Sequence, residues 1–364
     1  MQANLHPTTL ITPDPITKDL SERPLVTLIT PAYNEASIIQ PNIRKLRDFM
    51  RTLESEYRFE ILIINDGSKD GTKELADELE VEIEEVRVVH HKVNRNLGVA
   101  LQTGFRHALG DYVIVLDIDL SYSPEEHIER LLTEIIETDS DIVLASPYMK
   151  GGKSTDVPFM RLLMSKTVNR IMRFSASKDI HTFTAMVRVY KGDFLRYLNL
   201  KSSTYDINPE IINKAIILRA KITEIPAHLD WSFQKNAVGR TSSMRVIKGI
   251  LGGLMTGFIF RPYMFFMLIG ILTFLAGSYV IGWIFLHTFE LMPSMELLDG
   301  MYNTRFSAAV AQVFNRRPHA FFVGGFALII ALQFLGIGFL SLQNKRYFDE
   351  LFHLGSAINK KNRP

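Results

Sequence analysis

Two long stretches without a charged residue lie near the C-terminal end of this chain, at residues 262–286 and 320–342. A helix needs about 20 mainly apolar residues to cross the hydrocarbon core of a bilayer, and both stretches exceed that length. Buried helices of soluble proteins are usually shorter and carry a polar face. The sequence therefore predicts a two-helix transmembrane hairpin over residues 262–342, beside which the rest of the chain has to fold.

The amino-acid composition excludes several classes of protein. The 364 residues carry a net charge of only +2, so no basic surface indicates nucleic-acid binding. The chain has no cysteine, which excludes disulfides and thiolate metal sites and is typical of a reducing compartment. Residues 1–24 are rich in Thr and Pro and lack an apolar run, so we expect a flexible tail and not a secretory signal.

Short apolar runs alternate with helix-like stretches from residue 25 onward. This alternation indicates βαβ units, and hence an α/β fold with a mainly parallel sheet. We expect a catalytic domain over residues 25–243. The predicted strands are 25–30, 60–64, 86–89, 112–116, 141–145, 183–190 and 222–225, and the predicted helices are about 36–54, 70–82, 98–109, 124–138, 158–174 and 206–220.

A pair of aspartates, Asp117 and Asp119, ends the apolar run at 112–116. Ligands of parallel sheets bind beyond the C-terminal strand ends, so these carboxylates are expected at a binding crevice. Mg²⁺ and Mn²⁺ prefer carboxylate and phosphate oxygens, and without a cation the two carboxylates would repel each other. The alternative is a helix cap, but Ser123 followed by Pro124 already provides a helix start.

Other strand ends are polar as well. Asp66 follows the strand at 60–64 and precedes Gly67 and Ser68, so its carboxylate can accept hydrogen bonds from a base or a ribose. A simple turn would also explain this composition. The remaining polar groups at this predicted edge are carried by segments 31–35 and 94–98.

Four motifs occur in the order and spacing of the family 2 glycosyltransferases with the GT-A fold: Pro31-Ala-Tyr-Asn-Glu35, Asn65-Asp-Gly-Ser68, Asn96-Leu-Gly98 and Asp117-Ile-Asp119. With its trailing apolar segments, the chain most resembles the polyprenyl-phosphate glycosyltransferases. These include the dolichol-phosphate mannosyltransferases and the bacterial enzymes that charge undecaprenyl phosphate with glucose or a related sugar. The resemblance covers residues 25–345 and implies a Rossmann-like GT-A catalytic domain.

The resemblance also implies residue roles. The donor nucleotide would be held by Pro31, Tyr33, Glu35, Asp66 and Asn96. Asp117 would contact the donor and the metal, Mg²⁺ or Mn²⁺, and Asp119 would ligate that metal. Relatives often carry a Gln two residues past the second aspartate, where this chain has Ser121.

The acceptor side departs further from the family pattern. Pro147 stands where relatives carry an arginine, and Lys166 replaces another arginine. Arginine offers phosphate a bidentate fork, whereas lysine offers a point charge. The resemblance leaves five basic candidates for the acceptor phosphate: Arg161, Lys166, Arg188, Lys235 and Arg240.

The predicted reaction is transfer of a hexose from a nucleotide sugar to polyprenyl phosphate, with UDP-glucose as the first candidate donor and GDP-mannose as the second. A phosphate monoester is largely dianionic at neutral pH, so in-line attack needs no strong base and would invert the anomeric carbon. The alternatives are a processive polysaccharide synthase, transfer to another membrane acceptor such as a diacylglycerol, or a non-catalytic membrane scaffold. A Gln-x-x-Arg-Trp motif, typical of the processive synthases, is absent from the sequence.

Residues 244–261 combine an apolar face with basic residues, which predicts an amphipathic helix at the membrane interface; a core helix is the alternative. Residues 287–319 are expected to contain a second surface helix. Basic residues flank both spans, so the catalytic domain, both termini and the tail at 343–364 are predicted to be cytoplasmic. The connecting segment also carries basic residues, Arg305, Arg316 and Arg317, which favour the opposite orientation. The apolar helices also leave surface for contacts between copies of the chain.

Overall fold

In this computed structural model, residues 23–175, 180–232, 262–295 and 304–361 are described. The chain divides into an α/β unit, residues 1–169 and 180–243, and a helical unit, residues 170–179 and 244–364. The amphipathic helix predicted at 244–261 and nearly all of the tail predicted at 1–24 lie outside the described residues.

The α/β unit alternates strands and helices as predicted. Its strands are β1 (Leu25–Ala32), β2 (Arg58–Asn65), β3 (Val86–His90), β4 (Tyr112–Val115), β5 (Ile142–Ser146), β6 (Lys153–Thr155), β7 (Arg188–Lys191), β8 (Ile222–Pro226) and β9 (His228–Asp230). Its helices are α1 (Ile39–Arg51), α2 (Thr72–Glu82), α3 (Leu97–His107), α4 (Pro124–Glu137), α5 (Phe159–Ser175), α6 (Gly192–Tyr197) and α7 (Ile207–Ile217). The last residues of α5, from 170 onward, are assigned to the helical unit.

Within the described residues, seven strands form the main sheet in the order β3-β2-β1-β4-β7-β5-β8, while β6 and β9 form a small second sheet. β1 to β4 are mutually parallel, as are β5 and β8, so the predicted mainly parallel sheet is confirmed. The chain moves outward from β1 to β3 and then returns to place β4 on the other side of β1. This reversal opens a crevice between the carboxyl ends of β1 and β4, where doubly wound folds bind ligands.

The central strands form because their apolar runs can be buried on both faces. Residues 61–64 of β2 and 113–115 of β4 are at most 1% exposed, and α1 covers the sheet with Ile39, Ile43 and Leu46. Such continuous apolar runs are typical of parallel strands covered by helices on both sides. Their burial fixes the position of every strand end that carries a polar group.

The strand predicted at 183–190 is shorter and differently placed. Only Arg188–Lys191 is strand, and it runs antiparallel between β4 and β5. Val187 still accepts the backbone N–H of Ala145 in β5, but residues 181–184 bond to side chains instead of a neighbouring strand. Asn169 Oδ1 accepts from the backbone N–H groups of Phe183 and Thr184, and Glu224 accepts from those of residues 181 and 182. Side-chain acceptors therefore replace the ladder that the sequence pattern predicted.

The helical unit contains α8 (Pro262–Leu291), α9 (Arg305–Arg316) and α10 (Pro318–Lys361). Among the described residues, two segments are long and apolar enough to cross a membrane, Pro262–Ser294 and Pro318–Gly355, and their most apolar stretches have mean hydropathies of 2.2 and 2.3. Only 11% and 17% of their most apolar stretches are buried. Their apolar faces remain open, unlike those of a core helix in a soluble protein.

Close contacts at glycines join α8 to α10. Gly270 faces Leu335 and Gly277 faces Leu328, so the two helices run antiparallel. A Cβ at Gly270 would lie 2.9 Å from the side chain of Leu335, so a larger residue would push the helices apart. Small residues at such contacts are the usual means by which apolar helices approach closely.

α9 lies in the segment that connects the two long helices, where a surface helix was predicted. Thr304 caps it, because its Oγ1 accepts the backbone N–H of Ser307 at 3.2 Å. Ala309 and Val313 are its buried residues. At its C-terminal end, the guanidinium of Arg317 lies 4.5 Å from the ring centroid of Trp283 in α8.

Candidate active site

The loops after β1 and β2 are tied together at the edge of the crevice. Asn34 adopts a left-handed φ of 57°, and its backbone N–H donates to Ser68 Oγ at 3.0 Å. In return, Asn34 Oδ1 accepts the N–H of Lys69 at 2.9 Å. The N–H of Glu35 donates to Thr72 Oγ1 at 2.8 Å. These bonds hold Tyr33 and Glu35 in a fixed loop beside the end of β2.

The two predicted metal ligands sit on a tight turn after β4. The N–H of Leu120 donates to the carbonyl of Asp117 at 3.0 Å, and the N–H of Ser121 donates to Asp119 Oδ1 at 3.0 Å. Leu120 has a φ of 51°, a left-handed conformation that costs a leucine about 1 kcal/mol or more. Leu120 is only 8% exposed, so its strained backbone is held in a packed environment.

Two outside groups hold the same turn in place. Asn42 of α1 donates through Nδ2 to the carbonyl of Ile118 at 2.8 Å. The N–H of Asp230, the last residue of β9, donates to the carbonyl of Ser121 at 2.9 Å. The turn that carries the aspartates is thus fixed from two sides by residues distant in sequence.

Negative charge accumulates at this point. Burial, together with the negative charges of Asp119 and Glu35, raises the pKa of Asp117 to about 8, and the guanidinium of Arg161 opposes this shift. The structure therefore brings together the predicted residues Glu35, Asp117 and Asp119, which follow two different strands. Arg161 is the predicted acceptor-side residue that joins them.

This cluster has the donor chemistry of a site for Mg²⁺ or Mn²⁺. Across the part of the chain that is described, no group of three His, Asp or Glu side chains forms a complete metal cage. Two carboxylates plus ligand phosphates are the usual arrangement for Mg²⁺ bound together with a nucleotide. The raised pKa of Asp117 shows the electrostatic strain that a divalent cation would relieve.

Asp66 occupies the end of β2 with one carboxylate oxygen already used. Its Oδ1 accepts from His91 Nδ1 at 2.6 Å and from the N–H of Arg95 at 2.9 Å. Asp66 is 3% exposed. The adjacent Gly67 has a φ of 69°, and a Cβ there would lie 2.4 Å from the backbone of Val93, so only glycine allows this approach.

The other predicted donor residues lie at the same sheet edge. Pro31 belongs to the last part of β1, and Tyr33 follows that strand with 42% of its surface exposed. Asn96 is exposed and precedes α3 with a left-handed φ of 69°; its carbonyl accepts the N–H groups of Val99 and Ala100. The structure thus groups these three with Asp66 by position in the sheet.

Arg161 of α5 interacts electrostatically with both aspartates. Its guanidinium carbon lies 4.0 Å from the ring centroid of Trp231, which follows β9. Electrostatic interactions connect Arg161 with Asp117, Asp119, Tyr148 and Tyr205. One turn further along α5, Ser165 Oγ accepts a hydrogen bond from Tyr148 at 2.8 Å. A cation held on an aromatic ring near two carboxylates is suited to an incoming anion.

The remaining acceptor candidates are placed differently. Arg188 is 0% exposed and donates to the backbone carbonyls of Phe183 and Asn208 at 2.8 and 3.0 Å. Its prediction as a phosphate ligand is therefore wrong, because the guanidinium is enclosed in the core and engaged with backbone. Lys166 is exposed on α5. Lys235 and Arg240 lie outside the described residues.

Three residues at the site were missed by sequence reasoning: Asn42, His91 and Trp231. Each acts through a contact between segments far apart in the chain, so no local spacing marks it. For His91 the signal was its position, because it follows β3 directly at the same sheet edge as Asp66.

Paired aspartates at the switch point of a parallel sheet are suited to a phosphorylated ligand beyond the ends of β1 and β4. The sequence model of glycosyl transferase family 2 matches residues 27–197. Together with the relatives described next, this match shows that the chain belongs to glycosyl transferase family 2, and its catalytic unit has the GT-A fold.

Three curated relatives resemble the catalytic part of the chain. A polyprenol monophosphomannose synthase of Mycolicibacterium smegmatis is 33% identical over 58% of this chain and 79% of its own length. An undecaprenyl-phosphate mannosyltransferase of Micrococcus luteus is 31% identical over 55% and 82%. A dolichol-phosphate mannosyltransferase of Pyrococcus furiosus is 30% identical over 55% of each chain, so this chain matches about half the length of that relative.

Proposed function

We propose that this protein is a membrane-bound, inverting glycosyltransferase that moves mannose from GDP-mannose to the phosphate of a polyprenyl lipid. The observation that carries the proposal is the cluster of Glu35, Asp117 and Asp119 facing Arg161 across the crevice. One side of the crevice suits a cation with a nucleoside diphosphate, and the other side suits an anionic acceptor.

The choice of sugar changes from the sequence-based preference. From the sequence alone, UDP-glucose was the first candidate donor and GDP-mannose the second. The three relatives are a polyprenol monophosphomannose synthase and two mannosyltransferases of lipid phosphates. Their names support mannose, and we therefore place GDP-mannose first. Asp66 is compatible with either base, because its carboxylate can accept a ring N–H of guanine or of uracil.

The residues of the crevice divide the chemical task. Asp66 receives the base through Oδ2, and Glu35 lies beside the diphosphate-binding turn. Asp117 and Asp119 would hold Mg²⁺ or Mn²⁺, which when bound supplies Lewis-acid stabilisation to the departing diphosphate. Arg161 binds the dianionic acceptor phosphate and aligns it with the anomeric carbon. In-line attack from that side would give a β-linked lipid phosphate from an α-linked donor.

The helical unit supports a lipid acceptor. α8 and α10 are long enough to cross a bilayer and expose most of their apolar surface. A polyprenyl phosphate would be presented from the same bilayer, with its phosphate at the membrane surface. The cytoplasmic position of the catalytic domain and both termini remains our proposal, and it rests on the basic residues that flank the apolar stretches.

A donor and acceptor panel tests this proposal with full-length protein in detergent. We expect transfer of radiolabelled mannose from GDP-mannose to undecaprenyl or dolichyl phosphate in the presence of Mn²⁺ or Mg²⁺. UDP-glucose and diacylglycerol serve as the competing donor and acceptor. The near-isosteric Asp119→Asn should lower turnover by about 100-fold, since it removes a ligand of the leaving-group cation.

Each part of the proposal can fail separately. Faster transfer from UDP-glucose would overturn the choice of donor, and labelled diacylglycerol would overturn the acceptor. An α-linked product, identified by NMR, would contradict inversion. Absence of transfer from every donor, with nucleotide binding retained, would favour a non-catalytic scaffold. Full activity of Asp119→Asn would remove the metal-ligand assignment.

A further inference from the structure

The end of β3 carries two consecutive histidines that contact the two polar residues at the end of β2. β2 and β3 are parallel, with Asn65 opposite His90. His90 Nδ1 lies 3.0 Å from Asn65 Nδ2, and its Nε2 lies 2.6 Å from Asp77 Oδ1 in α2. The N–H of His91 donates to the carbonyl of Asn65 at 2.9 Å, which continues the ladder by one residue.

His91 links the crevice to α3. Its Nδ1 lies 2.6 Å from Asp66 Oδ1, and its Nε2 lies 3.0 Å from Thr103 Oγ1. The imidazole is almost enclosed, with 6% of its side chain exposed. Thr103 is itself 4% exposed. The three side chains form one buried line from a helix to the predicted base-binding carboxylate.

The hydrogen-bond network assigns the direction of this line. A carboxylate only accepts, so Nδ1 of His91 carries the proton donated to Asp66. Arg106 donates to Thr103 Oγ1 at 3.2 Å, which leaves the threonine hydroxyl hydrogen for Nε2 of His91. All three groups are satisfied in this arrangement. A rotation of the imidazole, or a flip that swaps the positions of Nδ1 and Nε2, would break at least one of these hydrogen bonds.

These contacts make the two carboxylate oxygens of Asp66 different from each other. Oδ1 accepts from His91 and from the N–H of Arg95, which uses both of its lone pairs. No hydrogen bond of Oδ2 occurs among the described residues. A carboxylate that is 97% enclosed thus has one oxygen fixed and the other still available, as a hydrogen-bond acceptor of defined direction.

We propose that His91, braced by Thr103, is a positioning residue that fixes Asp66 so that Oδ2 alone receives the ring N–H of the donor base. The proposal rests on the function proposed above, in which Asp66 binds the nucleotide. It adds a residue outside the four family motifs to the donor site. His91 touches neither the base nor the reacting atoms, and acts through Asp66.

Two substitutions separate the two contacts of the imidazole. In His91→Asn the amide nitrogen takes the place of Nδ1 and keeps the bond to Asp66. In His91→Gln the longer amide takes the place of Nε2 and keeps the bond to Thr103 instead. We expect His91→Gln to raise the KM for the donor about 10-fold, the equivalent of one lost hydrogen bond to a charged group. His91→Asn should stay within about threefold of wild type.

The control is His319→Gln, the same chemical change at an exposed position of α10, away from Thr103 and Asp66 in sequence. For all variants, kcat at saturating donor and the acceptor KM should stay within about twofold of wild type, because the reacting atoms are untouched. Melting temperatures identify a variant that does not fold. If His91→Gln fails to fold, Thr103→Val, which removes only the brace at Nε2, should still raise the donor KM measurably.

Three results would overturn the proposal. The first is an equal donor KM for His91→Asn and His91→Gln, and the second is a change in kcat without a change in donor KM. The third is a wild-type donor KM in both single variants, Thr103→Val and His91→Gln. Asp66→Asn distinguishes the two levels of inference. An unchanged donor KM in Asp66→Asn removes the base-binding role on which the proposal rests. A raised donor KM in Asp66→Asn with unaffected His91 variants overturns only the positioning role.

Discussion

The guanidinium of Arg161 lies 4.0 Å from the centre of the Trp231 ring, so a cation that interacts electrostatically with the paired aspartates rests on an aromatic surface. The contact joins α5 to the end of β9 on the acceptor side of the crevice. Since cation–π contacts contribute about 1 kcal/mol, the ring can hold the arginine in place without neutralising it.

We predict that Trp231→Leu raises the KM for the lipid acceptor about fivefold, because Arg161 loses its support. Trp231→Phe retains an aromatic face and should stay within about twofold of wild type. The measurement is initial rate against acceptor concentration at saturating donor. An increase confined to the donor KM would show that the ring serves the other side of the crevice.

The raised pKa of Asp117 predicts an unusual pH dependence of stability in metal-free protein. Its pKa is about 8 in the folded chain and 3.8 when unperturbed, so between these values only the folded state holds the proton. This carboxyl therefore makes folding less favourable as pH rises through that window, by at most about 1.4 kcal/mol per pH unit, and its effect levels off above pH 8.

The measurement is the melting temperature of EDTA-treated protein between pH 6 and 9. Asp117→Asn should flatten the decline, because an amide does not titrate. Mn²⁺ should raise the melting temperature of wild type more at pH 8 than at pH 6, since the cation competes with the proton. A steeper decline in Asp117→Asn than in wild type would contradict the assignment.

Asn42 should control the metal turn although it contacts neither metal nor substrate. Asn42→Leu keeps the volume but leaves the carbonyl of Ile118 without its donor at 2.8 Å. We expect a loss of about 1–3 kcal/mol in the free energy of unfolding and about a 10-fold higher Mn²⁺ concentration for half-maximal activity. Gln40→Met is the matched control, because Gln40 of the same helix bonds only to exposed Glu78. Equal metal requirements in the two variants would exclude a role for Asn42 in the turn.

Arg188 and Arg161 should respond oppositely to replacement by lysine. Arg188→Lys removes the planar fork that reaches two backbone carbonyls, and we expect it to lower the free energy of unfolding by about 3 kcal/mol with an unchanged acceptor KM. Arg161→Lys should raise the acceptor KM with little effect on stability. Chemical denaturation and acceptor titrations check both. The reverse pattern would restore Arg188 to the acceptor site.

Much of the fold could be predicted from local sequence patterns. The apolar runs predicted β1 to β5 within a few residues, and Ser123 followed by Pro124 marked the start of α4, because burial and helix-start preferences are local properties. The paired aspartates were also predicted, since their strand alone places them at the sheet edge. The two apolar helices followed from length and hydropathy.

What the sequence could not predict depends on contacts between distant segments. Arg188 resembled a family motif, yet the pairing of β7 with β4 and β5 encloses its side chain in the core. Asn42, His91 and Trp231 each join segments separated by tens of residues, and their roles appear only when the strand order is known. The left-handed Leu120 breaks the usual preference of leucine, so propensity argues against the conformation it adopts.

The placement of β7 has a consequence for how the chain is made. β7 enters the sheet between β4 and β5, although it follows both in sequence. Until Lys191 has left the ribosome, β4 and β5 each present an open edge, and such edges are templates for aggregation. A nascent chain or a shortened form that ends in α5 therefore has the aspartates on an unfinished sheet, without the bond from Asp230 that holds their turn. The main sheet cannot be completed until β7 has been synthesised. Because β7 precedes α8 in the sequence, its synthesis comes before that of the first apolar helix.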